Sequence, residues 1–334
     1  MLEKPRLDDD KIVACLCGRY GLTVTEIEFL PLGYDANAGV YRVYAGGQSY
    51  FLKVKRDAVY ELSVNLPRCL QEQGFEPVIA PLPTLDGDLW GKVGEFSLIL
   101  YPFIEGRSGW GAGLSDHQWI EFGALVKRLH TMRLPDDVWG RIPRETFVPH
   151  PRWGEAFRQL QAVVSSEVHE NPFQTQLVTF WKDHDQEMRT IVERTGQLSG
   201  RLQDQSRELV LCHADIHTAN LLVTALGELF VVDWDQPILA PIERDLMFVT
   251  GFGAGEREEN LFFQGYGQTA IDWLVMAYYR YERVMEDLIE FAAQVFLRET
   301  SDETKQDSVE WFMVQFDPGG SVEAAHKLDD VFQI

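Results

Sequence analysis

Residues 26–54, EIEFLPLGYDANAGVYRVYAGGQSYFLKV, hold three runs rich in β-branched and aromatic residues. The runs EIEFLPL, VYRVYA and SYFLKV are separated by glycine-containing turns and read as successive strands. A helix is expected over roughly 59–73, with Pro67 kinking it or marking a late start, and two further strands near 78–92 and 95–101. After that the periodicity changes. Ser115 and Gln118 form a capping box, and Trp119, Phe122, Val126 and Leu129 recur at helical spacing. Residues 153–200 continue the helical pattern, and a long amphipathic helix runs from Asp272 through WLVMAYYRYERVMEDLIEFAAQVFL. Strands first and helices after imply an α+β protein of two unequal lobes, 1–102 with a small antiparallel β-sheet and 103–334 mainly helical.

At 334 residues the chain is long enough for two such lobes. No apolar run of about 18 residues is present, which argues against a membrane span. The opening MLEKPRLDDDK lacks the apolar core of a secretory signal. Cys15, Cys17, Cys69 and Cys212 form no CxxC pair, which points to reduced thiols in a cytoplasm and argues against zinc. The formal net charge of −22 speaks first to solubility. It also argues against a nucleic-acid partner and suits a cationic small substrate. The segment ENLFFQG at 259–265 resembles a protease-tag site but runs smoothly into YGQTAIDW, so it reads as native sequence.

The chemistry concentrates in LVLCHADIHTANLLV, residues 209–223, and in the following LFVVDWD. Aliphatic runs bracket the polar residues, so Asp215, Asn220 and Asp233 fall at strand ends beside one cleft. Asn and Asp oxygens are hard ligands of the kind Mg²⁺ takes, with substrate phosphates completing its shell. A separate carboxylate, Asp215, can accept or orient the proton of an attacking hydroxyl, which is what phosphoryl transfer requires.

HADIHTAN, with a hydrophobic strand ending in VVDWD, resembles the aminoglycoside phosphotransferase family, which shares the protein-kinase-like fold. The order GYDANAG, FLKV, YPFIEG, HADIHTAN, VVDWD, PIERDLMF and YYRYERVMEDL is most similar to its spectinomycin phosphotransferase subgroup. That resemblance implies ATP as donor, Mg²⁺ as cofactor, Asp215 as the catalytic aspartate, and Asn220 and Asp233 as metal ligands. It makes Lys53 the phosphate-binding lysine, with Lys55 its rival on the same strand face, and gives Lys53 a partner in Glu61 or, less readily, Glu72. Gly33 and Asn37, in GYDANAG, would bring backbone amides to the phosphates. Tyr101 would line the back of an adenine pocket read by the Pro102 carbonyl and the Ile104 N–H. His213 would brace the loop, Asp245 would support it from a helix start, and His217 would be a plain loop residue. The triplet Asp-Trp-Asp lacks the glycine of the kinase D-F-G motif, which puts a kinase-style flip of this segment in doubt.

For the acceptor, Asp235 and the helical face carrying Tyr279, Arg283 and Asp287 are candidates, with Glu243, Arg280 and Glu282 near them. A helix of alternating charge is more often a solvated face. Carboxylates in a cleft would suit the ammonium groups of an aminocyclitol or aminoglycoside. The expectation is therefore an ATP-dependent kinase for a spectinomycin-like hydroxyl, acting as a monomer or homodimer with no nucleic-acid or membrane partner. Its rivals are a metabolic kinase of the same fold, acting on choline, homoserine, methylthioribose or a fructosamine, and a non-catalytic nucleotide-binding protein.

Overall fold

The computed structural model describes residues 4–32, 38–56, 58–149, 151–166, 171–251 and 254–329. Its first elements are α1 (Asp9–Tyr20), β1 (Val24–Leu30), β2 (Ala38–Ala45), β3 (Gln48–Lys55) and α2 (Glu61–Glu72). Then come β4 (Gly91–Val93), β5 (Phe96–Pro102), β6 (Gly106–Ser108), α3 (Gly109–Ala112), α4 (Asp116–Thr131) and α5 (Asp136–Trp139). Three longer helices, α6 (Pro151–Val164), α7 (Pro172–Asp183) and α8 (Asp185–Leu202), lead to β7 (Val210–Cys212). A 3₁₀ turn at Thr218–Asn220 precedes β8 (Leu221–Thr224), β9 (Leu229–Val231) and β10 (Ile238–Ala240). The last helices are α9 (Glu243–Leu246), α10 (Glu256–Tyr266), α11 (Trp273–Phe296), α12 (Asp302–Val314) and α13 (Ser321–His326). None is long and apolar enough to cross a membrane.

Contacts divide the chain into two units. The first comprises Met1–Pro143, His213–Ile238 and Leu261–Gly267; the second comprises Arg144–Cys212, Leu239–Asn260 and Gln268–Ile334. The first therefore extends past residue 102 and takes in the loop and hairpin at 213–238. The cause is pairing across sequence: β6 joins β8 antiparallel, and the Val231 N–H donates to the Pro77 carbonyl at 2.9 Å.

In the first unit an antiparallel sheet has the order β1-β2-β3-β5-β4. Gly46 and Gly47 turn the β2–β3 hairpin at φ 59° and 77°, the left-handed pair that a two-residue turn of this twist needs. Alternation along β3 then decides what each residue does. Leu52 and Val54 join Tyr41, Val43, Leu98 and Leu100 in a core closed by Ile12 and Leu16 of α1, while Phe51, Lys53 and Lys55 share the opposite face. Each large apolar side chain buried there contributes about 1.5–3 kcal/mol. The helix expected at 59–73 is α2, which starts at Glu61 and continues through Pro67. The strand expected over 78–92 is reduced to β4: Pro77, Pro81 and Pro83 supply no ladder N–H, and upstream of β4 only a bridge from Val78 to Val231 forms. The tag-like segment 259–265 lies inside α10, with Phe262 wholly buried, as suits native sequence.

In the second unit α11 is the central element. Asp272 caps it by accepting from Leu274 N and Val275 N, and α6, α7, α8, α9, α12 and α13 pack along it. Tyr278, Tyr279 and Tyr281 are fully buried on it.

Candidate active site

Lys53 stands on the β3 face away from the α1 core, opposite Ile99 of β5. Its Nζ donates to Asp233 Oδ1 at 3.0 Å and to Asp235 Oδ2 at 3.1 Å. Lys55, two residues on, donates to the same Asp235 Oδ2 at 2.9 Å. Burial works against the charge on Lys53, but the carboxylates of Asp233 and Asp235 outweigh it and raise the pKa of the ammonium. Burial pushes the Asp235 carboxyl up, while Lys53 and Lys55 pull it down further, so its net shift is downward. Two lysines adjacent by strand alternation and two aspartates adjacent by sequence thus meet in one ionic network.

The loop after β7 is held from several sides. Asp215 N–H donates to His213 Nδ1 at 3.3 Å, which leaves the ring hydrogen on Nε2, and that atom lies 3.0 Å from the Val232 carbonyl oxygen. His213 is wholly buried, with the Trp234 ring edge-on at a centroid distance of 4.6 Å. Trp234 Nε1 in turn donates to the Val231 carbonyl at 3.2 Å. His213 thus ties the Asp215 backbone to the strand before Asp233, with the tryptophan between the two aspartates set against its ring. The one sequence signal for Trp234 is a large aromatic between two acids, which does not announce the ring it packs against. The Val232 N–H donates to the Asn220 carbonyl at 3.0 Å, which sets Asn220 beside the strand end carrying Asp233.

Asn220 Nδ2 donates to the Asp215 carbonyl at 2.8 Å and to Asp215 Oδ2 at 3.0 Å. His217, expected to be a plain loop residue, touches the other oxygen: its Nε2 is 3.4 Å from Asp215 Oδ1, while its Nδ1 accepts from the Ala219 N–H. The catalytic candidate is thus oriented through both carboxylate oxygens. Ala214 and Asp233 have φ of 72° and 65°, a region that costs a residue with a side chain about 1–2 kcal/mol. Strain at the residue before Asp215 and at Asp233 itself is of the kind that functional sites retain.

For a divalent cation the donor set fits. With its amide nitrogen committed to Asp215, Asn220 keeps Oδ1 as an acceptor, and the Asp233 side chain is 48% exposed. Both are hard oxygen donors.

Of the other candidates, Tyr101 and Pro102 end β5, opposite Phe51 and Tyr50, and Ile104 follows, half-buried. Tyr101 meets Phe51 edge-on at 6.3 Å, and burial pushes its phenol well above the ordinary range. Gly33 and Asn37 lie outside the described residues. The pairing expected between Lys53 and Glu61 is not made: Glu61 is exposed in the first turn of α2, and Asp233 and Asp235 take the Lys53 ammonium. Glu72 pairs with Arg68 one helical turn away.

Asp235 belongs to the lysine network, and the remaining acceptor candidates lie in the second unit. Tyr279 is fully buried and donates its hydroxyl to Glu145 Oε2 at 3.0 Å. Arg283 and Asp287 pair with each other along α11 at 3.0 Å, each about four-fifths buried. Arg280 is buried and donates to the Ala324 carbonyl and Thr250 Oγ1. Glu282 accepts from Arg244 Nη1 at 3.0 Å and from the Tyr278 hydroxyl at 2.7 Å. Asp245 is buried in α9.

The model of the phosphotransferase enzyme family matches residues 26–279. The chain belongs to the phosphotransferase enzyme family. It is a kinase-like enzyme of α+β fold, with ATP as donor and a hydroxyl group as acceptor. Protein StrN of Streptomyces griseus is 26% identical over 251 residues, 71% of this chain and 74% of that protein. The structure is similar to that of spectinomycin phosphotransferase, APH(9)-Ia, in complex with ADP and spectinomycin. The TM-score is 0.86 and the identity 28%, over 98% of this chain and 99% of that one. The AMP-bound complex of APH(9)-Ia matches at TM-score 0.82 and 27% identity, over 96% of this chain and 98% of that one. An amicoumacin kinase, 16% identical at TM-score 0.63, shares the fold.

Proposed function

We propose that this phosphotransferase moves the γ-phosphoryl group of ATP to a hydroxyl of an aminocyclitol or aminoglycoside, most closely a spectinomycin-like one, and so inactivates the drug. The observation that carries this reading is the likeness over nearly the whole chain, at 28% identity, to an enzyme solved with ADP and spectinomycin. The ionic site supports the chemistry. Asp215, its carboxylate oriented by Asn220 and His217, receives the proton of the acceptor hydroxyl as that oxygen bonds to the γ-phosphorus and the bond to the β-phosphate oxygen breaks. Lys53 holds the phosphates. Asn220 and Asp233 would hold Mg²⁺, which supplies charge neutralisation of the phosphates when bound.

In this reading residues 1–102 form the nucleotide lobe and 103–334 the lobe for the acceptor. Tyr101, the Pro102 carbonyl and the Ile104 N–H take the adenine, and Gly33 and Asn37 approach the phosphates. Asp245 supports the loop, and the Asp287 carboxylate on α11 answers an ammonium group of the acceptor. The cytoplasm is the working compartment, where ATP is at hand and the thiols of Cys15, Cys17, Cys69 and Cys212 stay reduced.

The test is ADP release from Mg-ATP with spectinomycin, other aminoglycosides, choline, homoserine and methylthioribose offered separately. Turnover with spectinomycin far above the rest is expected. Turnover confined to one of the metabolites would overturn the substrate while leaving the chemistry.

A further inference from the structure

Lys53 answers the needs of phosphate binding, yet Lys55 is drawn into the same place. The two ammonium groups share one oxygen, Asp235 Oδ2, at 3.1 and 2.9 Å, and Lys53 also donates to Asp233 Oδ1 at 3.0 Å. The lysine side chains are 17% and 15% exposed, so neither charge has much water to fall back on. In that setting an uncompensated carboxylate competes strongly for any cation within reach. If Lys53 turns to nucleotide phosphates, Asp235 must be left with a partner or it will hold Lys53 back. Lys55 is that partner, because the period of a β-strand puts it on the face of Lys53, one step along.

We propose that Lys55 is a positioning residue of the nucleotide site: it retains Asp235 so that Lys53 is released to the phosphates. The proposal rests on the nucleotide-binding role given to Lys53 above, and it moves Asp235 from the acceptor to the donor side of the reaction. It differs from direct phosphate contact by Lys55 in one respect. A lysine that only occupies Asp235 becomes dispensable once the Asp235 charge is removed.

The experiment is calorimetric titration of the full chain with ADP, with and without Mg²⁺, for the wild type and for Lys55→Met, Lys55→Arg, Asp235→Asn and the double variant Lys55→Met/Asp235→Asn. Lys55→Met should weaken ADP binding on the order of tenfold, the ordinary size of a coupling between interacting sites. Lys55→Arg should bind like the wild type. Asp235→Asn should bind as tightly or more tightly, since Lys53 loses one of the two carboxylates that hold it. The double variant should return to within about twofold of the wild type.

A Lys55→Met variant that binds ADP like the wild type overturns the proposal. So does a double variant as weak as Lys55→Met, which would place Lys55 on the phosphates themselves. Weakened binding by Asp235→Asn confined to the Mg²⁺ titration would make Asp235 a cation ligand and also overturn it. If Lys55→Met does not fold, the charge-neutral double variant and Asp235→Asn still decide. A wild type that binds no adenine nucleotide would sink the nucleotide-binding reading itself, a result distinct from all of these.

Discussion

Trp234 shows what a single residue does for this site. It stands between Asp233 and Asp235, is 4% exposed, and sets its ring against His213, whose two nitrogens tie the loop before Asp215 to the strand before Asp233. Trp234→Ala should destabilise the protein by about 3–5 kcal/mol, read from urea unfolding, with Trp234→Phe losing much less. Equal loss in the two variants would mean that the ring does not act as an abutment. The proximity of Asp215, Asn220 and Asp233 was legible in the sequence because they lie in one short loop and just past the strand pair that follows it. The abutment was not legible, because it depends on a contact between residues 213 and 234, and no local pattern encodes that pairing. Neither did local pattern reveal that Lys53 would choose Asp233 and Asp235, 180 and 182 residues away, over Glu61 on the next helix.

Glu282 makes a second residue-scale prediction. Burial pushes its carboxyl up to about 7; Arg244 opposes the shift and Glu286 adds to it. A folded pKa above the unfolded value of about 4.3 means that the folded state binds the extra proton. The stability from this group is therefore full below the unfolded pKa and is lost as pH rises toward 7. Urea midpoints should show the difference between wild type and Glu282→Gln changing over pH 4.5–7 in that direction and flat above it. A difference that does not vary with pH would contradict this.

Among the elements, α4 and α10 cross where both present glycine. A Cβ on Gly265 would lie 1.8 Å from the Ile120 carbonyl oxygen, and one on Gly123 would lie 1.9 Å from that of Phe262. Backbone atoms on both sides cannot yield as a flexible side chain would. Gly265→Ala should lower stability by about 1–3 kcal/mol by thermal unfolding. Gly196→Ala and Gly200→Ala, in α8 with nothing within 4 Å, should leave stability unchanged or raise it by up to about 1 kcal/mol. Elements with strong periodicity were readable from sequence: β1 to β3, the Ser115 capping box and α11 all form. The stretch 78–90 misled because its apolar content resembles a strand while Pro81 and Pro83 withhold the N–H groups a ladder needs. The close crossing at Gly265 was hidden for a different reason: a glycine inside a helical pattern does not announce which backbone it meets.

At the scale of the molecule, the segregation of strands and helices was plain in the order of periodicities, and the phosphotransferase chemistry was plain in the polar loop. The grouping of residues 213–238 with the β1–β5 sheet was not, since it arises from β6 pairing with β8 across more than a hundred residues. This joining brings Lys53 of an early strand to Asp233, two residues past the end of β9. In the proposed mechanism Lys53, Asn220 and Asp233 serve the nucleotide, and Asp215 serves the acceptor proton. The direct test is Asp215→Ala, measured for ADP release with Mg-ATP and spectinomycin and, separately, for ADP affinity. Turnover should fall by about 10²–10⁴ while ADP binds as it does to the wild type. Phosphorylation at the wild-type rate, or a loss of nucleotide affinity that accounts for the whole fall in turnover, would contradict the account.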